Sequence, residues 1–164
     1  MRIDTKKLAM MGLFTALAMI FGYVEAILPI SIGIPGVKLG LANLVVVFAL
    51  YRLRPWEAFW INVVRIILVS FMFGNLSMMI YSLAGGVLSF AVMALLKKSG
   101  KFSIYGVSVA GGVFHNVGQL IVAMLVLETV SLVYYGPVLL ISGLITGLLI
   151  GIVAQEVLKR IGNH

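Results

Sequence analysis

Cysteine is absent from all 164 residues, which excludes disulfides, thiolate metal sites and thiol nucleophiles together. Aspartate occurs only as Asp4. An Asp-rich site able to hold magnesium against a diphosphate is therefore impossible within this chain. The glutamates, Glu25, Glu57, Glu128 and Glu156, are scattered, and no Ser, His and acid constellation emerges from the spacing. Histidine appears at His115 and His164 alone, too few ligands for a metal centre. A GxxxxGK[ST] loop is also missing: Lys101 follows Gly100, but Phe102 stands where the hydroxyl is needed, so nucleotide phosphates find no such cradle. These absences predict a chain that is not itself an enzyme and carries no cofactor.

What fills the sequence instead is apolar. Hydrophobic residues make up 62% of it and charged ones 10%, against about 25% charged in soluble domains; the mean hydropathy is +1.18. Crossing about 30 Å of hydrocarbon takes roughly 20 apolar residues, so six crossings consume about 120 and leave only short loops. We expect spans at about Leu8–Leu28, Leu41–Leu53, Trp56–Phe73, Leu76–Leu96, Ile104–Leu127 and Val138–Leu158. The second is short. With no linker or low-complexity tract, residues 1–164 read as a single all-α integral-membrane domain of six transmembrane helices.

The net charge of +7 does not signal nucleic acid, because the basic residues cluster at helix ends and not on one polar face. Arg2, Lys6 and Lys7 precede the first stretch, Arg52 and Arg54 follow the second, Lys97, Lys98 and Lys101 the fourth, and Lys159 and Arg160 close the sixth. Lys and Arg accumulate in cytoplasmic loops. The alternation therefore predicts cytoplasmic N and C termini in a multi-pass protein of the inner membrane. The start resembles a signal peptide, with Thr15, Ala16, Leu17 and Ala18 as small-residue candidates, but they fall inside the apolar run. An uncleaved first helix fits better.

Pro29 to Gly40 is apolar but broken by prolines and glycines, which oppose a continuous helix. An ordered outer loop, packed on the bundle or partly re-entrant, would satisfy its backbone. Small residues recur at helical spacing in two places. Gly143, Gly147 and Gly151 form consecutive GxxxG steps on span 6, and Ala9, Gly12 and Ala16 make a small face on span 1. Such faces let helices approach closely; internal packing is favoured for span 6, and a partner helix weighs evenly with it for span 1.

Arg65 lies roughly 12 Å from either end of span 3, too deep for easy snorkelling. An intramembrane arginine must face a partner or a wet cavity, and Asn62 shares its face one turn earlier. It could serve a ligand, or tie helices together through carbonyls or Glu25. Span 5 carries His115, Asn116 and Gln119 beside Gly111 and Gly112; these make either a ligand pocket or an interhelical clamp. On the outer side stand Glu25, Lys38, Asn43, Asn75 and Glu128. Lys38 breaks the charge alternation, and could neutralise Glu25 or meet an anionic ligand. Candidate ligand-binding residues are thus Lys38, Asn43, Asn62, Arg65, Asn75, His115, Asn116 and Gln119, around a cavity open to the exterior.

The basic start, the helix Leu8-Ala-Met-Met-Gly-Leu-Phe-Thr-Ala-Leu-Ala18, the Pro-and-Gly loop and the segment Gly36-Val-Lys-Leu-Gly-Leu-Ala-Asn43 resemble the Gx transporter family. Many of its members are labelled heptaprenyl diphosphate synthase component I. Size and layout are also similar to the substrate-binding S components of energy-coupling-factor vitamin transporters. That resemblance implies an S-component-like bundle, with Ala9, Gly12 and Ala16 docking on a membrane scaffold subunit driven by cytoplasmic ATPases. It also implies a lid from Pro29 to Gly40 over a pocket for a vitamin- or flavin-type metabolite. The rival expectations are a membrane accessory to isoprenoid or quinone synthesis and a flavin handler for an electron-transfer system.

Overall fold

The computed structural model describes residues 5–27 and 40–161. Lys38 and most of the Pro29–Gly40 segment lie outside the described residues. Six α-helices run α1 Thr5–Ile27, α2 Leu41–Arg52, α3 Pro55–Phe73, α4 Leu76–Ser99, α5 Ile104–Val126 and α6 Gly136–Ile161, with a 3₁₀ turn at Val130–Tyr135 before α6 and no strand among the described residues. Five of these helices are long and apolar enough to cross a membrane; α2 is not. The protein is a multi-pass, all-helical membrane protein.

Local chemistry sets the breaks. Pro55 begins α3, where its missing N–H costs nothing, and Glu57 takes the Arg54 N–H at 2.9 Å. Asn75 Oδ1 accepts the Met78 N–H at 2.8 Å and so caps α4. Ser103 does the same for α5 through the Gly106 N–H at 3.3 Å. Gly100, at φ +67°, supplies the left-handed residue that ends α4.

The shortest helix is the most enclosed. Ala42 and Val45 through Leu50 are all buried in α2, against Ile61 of α3, Phe90 and Met93 of α4, Val107 of α5 and Ile150 and Ala154 of α6. Charges of opposite sign meet its two ends. Glu25 Oε1 accepts the Gly40 N–H at the start of α2, and Lys97 Nζ donates to the Leu50 carbonyl near its close. Each complements the helix dipole.

Lipid gives helices no hydrophobic reason to associate, so close van der Waals contact and hydrogen bonds must hold the bundle. The α5–α6 seam meets that demand through glycine. A Cβ at Gly112 would sit 2.4 Å from the Gly143 carbonyl oxygen, and one at Gly147 would sit 2.7 Å from Val109 Cα. Ser108 Oγ crosses the seam to the Gly147 carbonyl at 2.7 Å. Gly143, Gly147 and Gly151 are thus consumed by internal packing. Ser89 Oγ makes a matching bond from α4 to the Gly111 carbonyl of α5 at 2.8 Å.

The α1 helix presents two different faces. Phe14 meets Phe48 edge-on at 5.4 Å, Ala18 is fully buried, Gly22 lies against Val69 and Lys7 pairs with Glu57 at 4.0 Å. Ala9, Gly12 and Ala16 are exposed on the other side. A Cβ added to Gly12 would meet nothing within 4 Å.

Candidate functional site

A cavity of about 100 Å³ opens between the helices, lined by Glu25, Gly40, Asn43, Arg65, His115, Asn116 and Gln119, with the hydroxyls of Ser70, Ser82, Ser108 and Thr146 among its other walls. Polar side chains from all six helices therefore converge on one space inside an otherwise apolar bundle. Such convergence of a few polar groups is how small-molecule sites fix a ligand, although pockets for drug-sized molecules measure about 300–1,000 Å³.

Arg65 is the lining group whose position is most fully determined. Its Nη2 donates to Asn43 Oδ1 at 2.7 Å and to Asn62 Oδ1 at 2.9 Å, and its Nε reaches the same Asn62 oxygen at 3.3 Å. Asn62, buried, is itself fixed by donating Nδ2 to the Gly86 carbonyl at 3.0 Å. Gly86 permits that approach, since a Cβ there would lie 2.5 Å from Ile66 Cδ1. The sequence offered Glu25 or backbone carbonyls as the arginine's partners; side-chain amides take its hydrogen bonds, while Glu25, lining the same cavity, acts on it through its charge. Among the described residues no carboxylate comes within the 4.0 Å of an ion pair with Arg65.

His115, Asn116 and Gln119 all line the cavity, yet the two functions considered for them are both present. Asn116 Nδ2 donates to the Leu139 carbonyl of α6 at 2.7 Å, a clamp between helices, and its carboxamide oxygen bonds to no described residue. Gly111 and Gly112 border the same space but leave less room than their lack of side chains implies. Met93 Sδ would lie 2.5 Å from a Cβ at Gly111, and the Gly143 carbonyl closes on Gly112.

Two candidates stand apart. Asn75 is outside the cavity, and its side chain is spent on capping α4; an asparagine directly before an apolar helix is a recognisable N-cap signal. Lys38 is outside the described residues. Asn62 sits behind Arg65 as its support. Sequence reasoning missed the hydroxyls of Ser82 and Thr146, which look like ordinary helix residues; Thr146 Oγ1 bonds the Ser142 carbonyl at 2.9 Å in its own helix.

No group of three or more His, Cys, Asp or Glu able to hold a metal ion occurs among the described residues. Comparison with curated proteins and with solved structures gave no significant match. A family comparison did, and it spans residues 14–157. It takes in every helix that lines the cavity, beginning after Ala9 and Gly12 of the exposed α1 face. By that match the chain belongs to the family described as heptaprenyl diphosphate synthase component I.

Proposed function

We propose that this protein is the substrate-binding, S-component-like membrane subunit of a small-metabolite transporter, energised by a separate scaffold protein and cytoplasmic ATPases. The observation that carries this reading is the polar cavity around Arg65, to which all six helices contribute. Polar groups buried against lipid are costly, and a bundle needing only to hold together could close with serine and glycine contacts like those of α5 and α6. The chain would bind ligand without chemistry of its own, since neither a phosphate loop nor a set of magnesium ligands is present in its sequence.

In this reading six spans place both termini on the cytoplasmic side of the inner membrane, in keeping with the basic loops. α2 Leu41–Arg52 counts as the second span, shorter than the others. Cysteines introduced at Ser99 and Ser31 of this Cys-free chain should label from opposite sides. Labelling of Ser99 from outside intact cells would end the six-span arrangement.

The exposed Ala9, Gly12 and Ala16 face is the proposed contact for the scaffold subunit, because only small side chains admit a partner helix so closely. The word "component" in the family description denotes one part of an assembly, and the rival reading is a membrane accessory for isoprenoid synthesis. With Asp4 as its sole aspartate, the chain would leave prenyl transfer to another protein. Gentle purification followed by mass spectrometry of small molecules and proteins separates the two. A bound metabolite with ATPase and scaffold subunits is expected; a prenyl transferase without any metabolite would overturn the transporter reading.

A further inference from the structure

A groove between α3 and α4 differs in character from the polar cavity. Its walls are apolar side chains alone, among them Phe59, Trp60 and Val63 of α3 and Ala84, Val87 and Ala91 of α4. The small side chains of Ala84 and Ala91 leave it open, and Val87 and Ala91 are exposed. Rings make the α3 wall firm. Trp56 meets Trp60 edge-on at 5.4 Å and stacks on Phe59 at 5.8 Å, and Phe59 in turn meets the buried Phe90 of α4 at 5.5 Å.

Basic side chains stand at one end of the groove. Steps of four and three residues carry the α4 stripe on from Ala91 to Leu95 and Lys98, all exposed and on one helix face. Lys97 Nζ, bonded to the Leu50 carbonyl, ties this end of α4 to the turn that holds Arg52 and Arg54, and Arg54 directly precedes α3. Lys97 is engaged by that carbonyl and by the Tyr51 ring. Neither Lys98 nor Arg54 has a carboxylate within 4.0 Å among the described residues. Fourteen residues separate Ala84 from Lys98, about 21 Å of helix. That is the depth of one leaflet, half of the roughly 40–45 Å of a bilayer with its headgroups.

We infer that this groove is a site for an anionic phospholipid of the leaflet at the basic end of the bundle. One acyl chain lies along Trp60, Val87 and Ala91, and the phosphate meets Lys98 and Arg54. Any bilayer supplies chains to fill an apolar groove; the two cations decide which headgroup stays, because an anionic lipid gains from each Lys or Arg near the surface. Trp56 suits the boundary between chain and headgroup, where an indole keeps its N–H in the polar layer. Such a site would serve a transporter subunit and a synthase accessory alike.

Trp56 and Trp60 are the two tryptophans of the chain, so their fluorescence reports on the groove directly. The full-length protein should be reconstituted in phosphatidylcholine vesicles in which dibrominated phosphatidylglycerol or dibrominated phosphatidylcholine replaces a rising share of the lipid, since bromine quenches an indole that it touches. Phosphatidylglycerol should quench with an apparent affinity at least about fivefold higher, the weight of one well-placed cation. Arg54→Gln combined with Lys98→Gln should bring the two lipids to within about twofold of each other. Ala91→Phe, which fills the groove, should do the same, whereas Lys159→Gln on α6 should keep the full preference. All four side chains are exposed, so these changes spare the fold. Equal quenching by the two lipids, a preference that survives the double charge variant or Ala91→Phe, or its loss in Lys159→Gln would each overturn the site. So would indoles that neither lipid reaches, which would place a protein helix or a second copy of this chain in the groove. Relief of quenching by a polyprenyl phosphate at a lower mole fraction than by unbrominated phosphatidylglycerol would overturn the assignment to a phospholipid.

Discussion

Replacing Gly147 with leucine is expected to leave little folded protein in the membrane. The new Cβ alone would fall 2.7 Å from Val109 Cα and 2.8 Å from the Ser108 carbonyl oxygen. Both are backbone atoms of α5, so no side chain can rotate away; the helices must part. Parting them also breaks the Ser108 bond to the Gly147 carbonyl and draws apart Gly112 and Gly143 one turn away. Overpacking costs about 1–3 kcal/mol even where neighbours can adjust, and the upper end applies here. For a chain of this length 3 kcal/mol corresponds to a fall of about 6–12 °C in melting temperature. Melting of the purified protein in nanodiscs, followed by tryptophan fluorescence, measures it. A variant melting with the wild type would show that the α5–α6 seam is not closed as described.

Leucine at Gly12 is expected to do the reverse, sparing the fold and severing the complex. Nothing lies within 4 Å of a Cβ at that position, and the packed face of α1, with Phe14, Ala18 and Gly22, points elsewhere. If a scaffold helix docks on Ala9, Gly12 and Ala16, an isobutyl group in the middle of the contact holds the backbones apart. Copurification and uptake should then be lost, while ligand affinity stays within a few fold, and melting temperature within a few degrees, of wild type. Full copurification by both Gly12→Leu and Ala16→Leu would place the partner on another face. The contrast between Gly12 and Gly147 carries the test, since both are glycines in apolar helices and only one has a neighbour.

Periodic and compositional features of the sequence led to most of the helices. All six described helices begin and end within about three residues of the apolar runs, and α2 starts at Leu41 as read. The 3₁₀ turn at Val130–Tyr135 was invisible, because its residues are as apolar as the helix they precede. For the site, Asn62 and Arg65 were legible through spacing on one helix, as were His115, Asn116 and Gln119. Their convergence was not. Arg65 and Asn43 are 22 residues apart and meet through Nη2, a pairing decided by how α2 and α3 pack and by nothing local. Glu25 illustrates the same limit from the opposite direction: charge alone suggested a cationic partner, and its charge does act on Arg65, but its hydrogen bond goes to a backbone N–H at the start of α2. Asn75 shares the outer position of the polar cluster, but it stands directly before an apolar helix, the place of an N-cap, and its side chain caps α4.

The brevity of α2 bears on how the protein is made. Its 12 residues measure about 18 Å at 1.5 Å per residue, short of the roughly 30 Å that a self-sufficient span must cover. Released by the ribosome and translocon as an isolated segment, it would have no stable place in lipid. Its stability comes from surroundings synthesised on either side of it: Glu25 from α1 at its start, and Lys97 from the end of α4 at its close. The Lys97 amine reaches Leu50 across 47 residues of chain, so the central helix is not secured until about three-fifths of the polypeptide exists. Biogenesis of this bundle is therefore ordered from the outside inward, with the helix that carries Asn43 to the arginine among the last to find its final position.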